Sequence, residues 1–140
     1  MAKLKIKVKE AEGVKWAAIG MLLKDQGFQC IVAGFEGSGD SGAIEYLVAT
    51  PEDFKTVCDS ADYYEYEGDS ELVKDVIEHH AKFIEDHCYE VLDKIDDWVN
   101  NDGGYGFLVI DVINNKHFID SNVRITHVEN FEYEGKIEPI

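Results

Sequence analysis

The chain has 140 residues, 45% of them hydrophobic and 11% aromatic. That is one domain's length, with enough apolar material to bury a single core without metals or disulfides, and it excludes simple disorder. The charge is the outlying quantity: 29 acids against 13 bases leave a net −16. Such a chain repels nucleic-acid phosphates and anionic membranes and is expected to bind neither directly, whereas basic proteins and metal cations stay open as partners.

Residues 3–9 (KLKIKVK) alternate Lys with aliphatics. They read as a short strand or as a basic lead-in to a helix, and they lack the apolar stretch of a secretion signal. No apolar run approaches the roughly 18 residues that span a bilayer, so a cytoplasmic protein is expected. A helix is predicted from about residue 9 to 26, with Val14, Ala17, Ala18, Met21 and Leu22 at helical spacing and Gly27 as its C-cap. Phe28–Phe35 is β-branched and aromatic and reads as a strand. The glycine-rich EGSGDSG (36–42) reads as a turn and Ala43–Ala49 as the second strand of a hairpin. After it, Thr50 can serve as N-cap, Pro51 as first helical residue and Asp53 as the end of a capping box, opening a short helix to about Ser60.

The strongest helical pattern begins at Asp69 or Ser70 and runs to about Asn100. Val73, Ile77, His80, Ile84, His87, Val91 and Trp98 share one stripe, and Asn101 or Gly103 can close the helix. Tyr105–Ile113 reads as a strand, Asn114–Lys116 as a turn, His117–His127 as a further strand or two, and Phe131–Gly135 as a final edge piece. The order helix, hairpin, long helix, antiparallel strands predicts one α+β domain over residues 1–140, its helices packed on one antiparallel sheet.

The acids are unevenly spread. Residues 52–102 hold 17 of them against four lysines, a net −13 in 51 residues. On the long helix, Glu71, Asp75, Glu78, Glu85 and Asp93 fall mainly off the apolar stripe, so one solvent face is expected to be negative. Charge runs of this kind commonly serve only solubility. The functional alternative is that carboxylates held in a row by a rigid helix resemble backbone phosphates and occupy a basic groove on another protein. Tyr63, Tyr64, Glu65, Tyr66, Glu67 and Asp69, just ahead of the helix, would add aromatic anchors to that surface.

EGSGDSG and NNDGGYG (100–106) set Asp40 and Asp102 among residues suited to tight turns. Asp40 and Asp102 are candidate ligands for a hard cation, if their turns meet. The segment Gly39-Asp40-Ser41-Gly42 matches a short serine-protease signature, but the first histidine is His79, so the triad order fails. No dinucleotide or P-loop glycine motif and no EF-hand loop is present. Cys30, Cys58 and Cys88 form no CxxC pair and read as reduced structural thiols. His80 and His87 face one way but lie two turns apart, too far for an HExxH-type metal site. They read as packing residues, and His117 and His127 carry no assigned role. No cofactor is predicted.

The run Phe35-Glu36-Gly37-Ser38-Gly39-Asp40-Ser41-Gly42 after a strand, with Asn101-Asp102-Gly103-Gly104-Tyr105-Gly106 opening a strand after a long helix, resembles a family of small uncharacterised proteins from phages, plasmids and bacterial genomes. The resemblance covers roughly residues 14–130. It implies the same element order, a mobile-element setting and no established activity, and it places any shared site at Asp40, Ser41, Asp102 and Tyr105. The tyrosine-rich stretch at 59–71 departs from the pattern.

Three functions compete. The first, preferred because no nucleophile–base pair is forced by spacing, is a non-enzymatic inhibitor whose acidic face binds a basic-grooved host nucleic-acid-processing or defence protein. The second is a small metal-dependent enzyme or ligand-binding domain built on Asp40 and Asp102. The third is a structural homodimer joined through Tyr63, Tyr64, Tyr66 and Trp98.

Overall fold

The computed structural model describes residues 2–38, 41–60, 71–94, 104–124 and 128–139. Six strands form one sheet: β1 (Ala2–Val8), β2 (Cys30–Ser38), β3 (Ser41–Thr50), β4 (Gly104–Asp111), β5 (Lys116–Arg124) and β6 (Val128–Pro139). Their order across the sheet is β1-β6-β5-β4-β2-β3. Helices α1 (Glu10–Asp25), α2 (Phe54–Ser60) and α3 (Glu71–Leu92) complete the α+β domain. Four neighbouring pairs are antiparallel, and β1 lies parallel to β6 at one edge, with Ile6 beside Ile137. The Lys-rich N-terminus is therefore a strand.

The strands β2 and β4 read as continuous apolar runs because the central sheet is covered on both faces. Ile31, Ala33 and Phe35 with Leu108 and Ile110 point to the face where α1 and α3 supply Trp16, Ile19, Leu23, Ile84, Cys88, Val91 and Leu92. Cys30, Val32, Phe107 and Val109 point the other way, where α2 lays Val57, Phe54 and Cys58 over them and Phe118. Two helices thus pack on one face, and a short third packs on the other.

Several boundaries move. The hairpin reaches further than the glycine content suggests: Gly37 pairs with Gly42 and Ser38 with Ser41, so most of EGSGDSG is strand. The cap of α2 sits three residues later than the sequence suggested. Thr50 is a buried strand end whose hydroxyl accepts the Glu52 amide (3.1 Å), whereas Asp53 caps the helix by accepting the Thr56 amide (2.7 Å). The helix α3 stops at Leu92, short of the expected Asn100. The final strand is twelve residues long and lies inside the sheet rather than at its edge.

The buried side of α1 is also not the expected one. Val14, Met21 and Leu22 are 64%, 68% and 46% exposed and Ala17 and Ala18 face solvent, while Trp16, Ile19, Gly20 and Leu23 are buried. The helix is apolar on nearly every side, so periodicity alone could not choose between two faces. Gly20 fixes the choice: a Cβ there would come within 2.6 Å of the Val112 carbonyl oxygen, so only glycine lets α1 sit this close to the end of β4.

Candidate functional site

The acidic helix is built as a two-sided element. Ile77, Ile84, His87, Cys88, Val91 and Leu92 are buried, which holds the α3 backbone against the sheet. Tyr89 adds a tie, its hydroxyl accepting the Ile44 amide of β3 at 2.9 Å. On the outside, Asp75, Glu78, Asp86, Glu90 and Asp93 are exposed and Glu85 is half-buried. At about 100° per residue these six fall within one arc of about 140°. Lys82 lies in the same arc and pairs with Asp86 at 3.1 Å, but with the two side chains 89% and 60% exposed the bridge is worth only a few tenths of a kcal/mol. The face therefore stays net negative, with one cation near its middle.

Of the residues the sequence nominated, Asp75, Glu78, Glu85 and Asp93 belong to this face, while Asp86 and Glu90 were not singled out. Helical angle alone would have found them. Glu71 opens α3. Tyr63, Tyr64, Glu65, Tyr66, Glu67, Asp69 and Trp98 lie outside the described residues.

The second nominated region is the sheet end at which the glycine-rich segments converge. Gly37 is partnered by both Gly42 and Gly104, so the β2–β3 hairpin tip and the entry to β4 occupy the same end. Asp40 and Asp102 themselves lie outside the described residues, and Ser41 is the first residue of β3. Tyr105 is 39% exposed and, with Tyr46, Glu36 and Glu45, lines a shallow cleft of about 260 Å³ over Gly34 and Gly106. Two glycines shape its floor. A Cβ on Gly34 would fall within the Tyr46 ring, and one on Gly106 would fall on the Asp120 carbonyl oxygen. Beside the cleft, the Asp120 carboxylate accepts the side-chain amides of Asn122 (3.1 Å) and Asn130 (2.8 Å), and Asn130 also donates to the Asn122 carbonyl (3.0 Å). The ladder satisfies its members with one another, which is structural chemistry more than a ligand set. Among the described residues no group of three or more His, Cys, Asp or Glu is placed to hold a metal.

The histidines give a result that spacing could not. His87 of α3 and His117 of β5 are both buried, and their Nε2 atoms meet at 2.8 Å. Trp16 stands edge-on to His87 with ring centroids 4.8 Å apart. Burial, aided by Lys94, pulls His87 down to about 4, and burial and the neighbouring His87 push His117 well below its ordinary value. Both rings are therefore neutral at physiological pH, one donating N–H to the other. Their Nδ1 atoms and the Trp16 indole N–H have no hydrogen-bond partner among the described residues. All three cysteines are free, and burial first, with nearby carboxylates second, pushes each thiol up to about 12, so none is a ready thiolate.

A family model described as a family of unknown function (DUF6878) matches residues 13–135. No curated protein and no solved structure matches the chain. None of its described helices is long and apolar enough to cross a membrane.

Proposed function

The chain belongs to DUF6878, a family of unknown function, and we propose that it is a non-enzymatic binding protein whose acidic α3 face occupies a basic groove on a nucleic-acid-processing or defence protein of a host cell. The observation that carries this reading is the single arc of carboxylates on a helix whose opposite side is buried. A fixed array loses less entropy on docking than the same charges on a flexible tail.

The charge density refines the reading. Asp75, Glu78, Glu85, Asp86, Glu90 and Asp93, less Lys82, give about five net charges over about 27 Å of helix, or about one per 5 Å. Duplex DNA carries one per about 1.7 Å and each of its strands one per about 3.4 Å. The face is too sparse to replace a duplex and comes closer to one strand, so a groove that tracks a single strand is the better fit.

The test is capture of host proteins on the native chain and on an Asp75→Lys/Glu78→Lys/Glu90→Lys/Asp93→Lys variant. Nucleic-acid-binding proteins retained by the native chain, eluted by rising salt and lost from the variant support the proposal. Equal retention on both would remove it.

A second reading rests on the shared sheet end, where Gly37 of β2 meets Gly104 of β4 and a cleft is lined by Tyr46 and Tyr105. There the chain would bind a small ligand or a divalent cation. Calorimetry with calcium, magnesium, manganese and zinc tests the cation form, and no heat at millimolar metal would end it.

A further inference from the structure

We propose that the outer face of α1 is a self-association surface on which a second copy of this chain docks through its own α1, the two helices running antiparallel.

The starting observation is the misplaced apolar face. A helix of 16 residues buries Trp16, Ile19 and Leu23 on one side, yet carries Val14, Ala17, Ala18, Met21 and Leu22 on the other. These five fall within one arc of about 140°, and between Glu10 and Asp25 no charged side chain interrupts it. A contiguous apolar patch of this kind on a soluble domain marks an interaction surface. Alongside it runs a groove of about 480 Å³ whose lining is mixed, with Val8, Gly13, Val14, Ala17 and Ile137 joined by the polar Lys9, Glu10 and Asn115.

Charge argues that the occupant is another copy. The chain is −16 overall, but Lys9 and α1 together hold three lysines (Lys9, Lys15, Lys24) and three acids (Glu10, Glu12, Asp25). This is a locally neutral surface on a strongly anionic protein. A basic partner would be drawn to α3, whereas two copies can join at α1 without setting like charges face to face. The ends of the helix fix the direction. Glu10 stands at the N-terminal end and Lys24 at the C-terminal end, and neither is engaged in an ion pair among the described residues. Antiparallel pairing sets Glu10 against Lys24 of the second copy at both ends of the contact, whereas parallel pairing would oppose Glu10 to Glu10.

Ala17 is the midpoint between residues 10 and 24. A two-fold axis there puts the smallest side chain at the crossing, where helices approach most closely. The same symmetry sets Met21 opposite Gly13 and Val14 of the second copy. A flexible, 68% exposed side chain then meets a groove whose wall includes a residue with no Cβ. The contact is isologous and therefore closes at two copies. It does not draw on the α3 reading.

Sedimentation equilibrium of the full chain, from low micromolar to submillimolar concentration, tests the proposal. The native protein should approach twice its 15.8 kDa mass. Ala17→Glu/Met21→Glu, both at exposed positions, should stay at the monomer mass with an unchanged far-ultraviolet spectrum. Glu10→Lys and Lys24→Glu should each weaken association about tenfold, and the double swap should restore it. A native chain that stays monomeric throughout the range would overturn the proposal. So would a dimer undiminished by Ala17→Glu/Met21→Glu, which would place the contact elsewhere, or a double swap that fails to restore association.

Discussion

Acid should loosen this fold through the buried His87–His117 pair. Both rings are nearly inaccessible, 3% and 1% exposed, and the N–H···N bond of 2.8 Å between them needs a neutral acceptor. In the folded chain both titrate below the ordinary value of 6.5, His87 at about 4. The unfolded chain therefore binds protons that the folded chain refuses, and stability falls as pH drops. The contribution is intact above 6.5, is lost below it, and for His87 levels off near 4. The fall from 6.5 to about 4 corresponds to about 3 kcal/mol for His87 alone, of which about 2 kcal/mol is lost by pH 5. His117 adds to this in the same direction. Against the 5–15 kcal/mol typical of a domain this is a large fraction.

The assay is urea unfolding of the native chain and of a His87→Phe/His117→Leu variant, which replaces both partners with apolar groups, at steps between pH 7.5 and 4.5. The 29 acids titrate in both proteins, so only the difference between the two curves reports the pair. That difference should move in the variant's favour by about 2 kcal/mol or more between pH 7.5 and 5. Parallel curves would show that the buried pair takes up no protons on unfolding.

Other expected outcomes follow from single contacts. Gly106→Ala should cost about 3 kcal/mol or prevent folding, because the clash is with the Asp120 backbone and not with a side chain that can turn away; thermal melting checks it. Asp111 is buried, and its carboxylate accepts the Ile113 and Asn114 amides (both 3.0 Å) and the Asn114 side chain (2.9 Å). Asp111→Ala should therefore cost about 2 kcal/mol in urea unfolding and loosen the β4–β5 turn. Lys82→Ala should leave stability within about 0.5 kcal/mol, because its bridge is solvent-screened. It should also strengthen capture of a basic partner, because it removes the one cation in the acidic arc. Ile84→Ala, at a fully buried position beneath that arc, should cost about 3 kcal/mol.

The sequence announced α3 because its apolar and acidic residues separate cleanly by angle. It announced β2 and β4 because strands buried on both faces read as apolar runs. It misplaced the buried side of α1, since a helix apolar all round carries no angular preference, and the deciding contact, Gly20 against Val112, is a tertiary one. The parallel pairing of β1 with β6 joins the two ends of the chain, and no local pattern encodes it. The His87–His117 contact spans 30 residues and two elements, so it too was invisible to spacing. The acidic face was legible in kind but only partly in membership: Asp86 and Glu90 complete an arc whose other members, Asp75, Glu78, Glu85 and Asp93, the sequence named. The Gly37–Gly104 pairing does bring the two glycine-rich segments to one end of the sheet, as their positions beside strands suggested.

If α3 occupies a groove that nucleic acid would otherwise fill, as proposed, the two must compete for the partner. With a captured partner bound to the chain, increasing single-stranded oligonucleotide should displace the chain completely, and duplex of equal charge should do so less readily. A stable ternary complex, in which partner, oligonucleotide and chain remain together at saturation, would show that α3 does not occupy that groove.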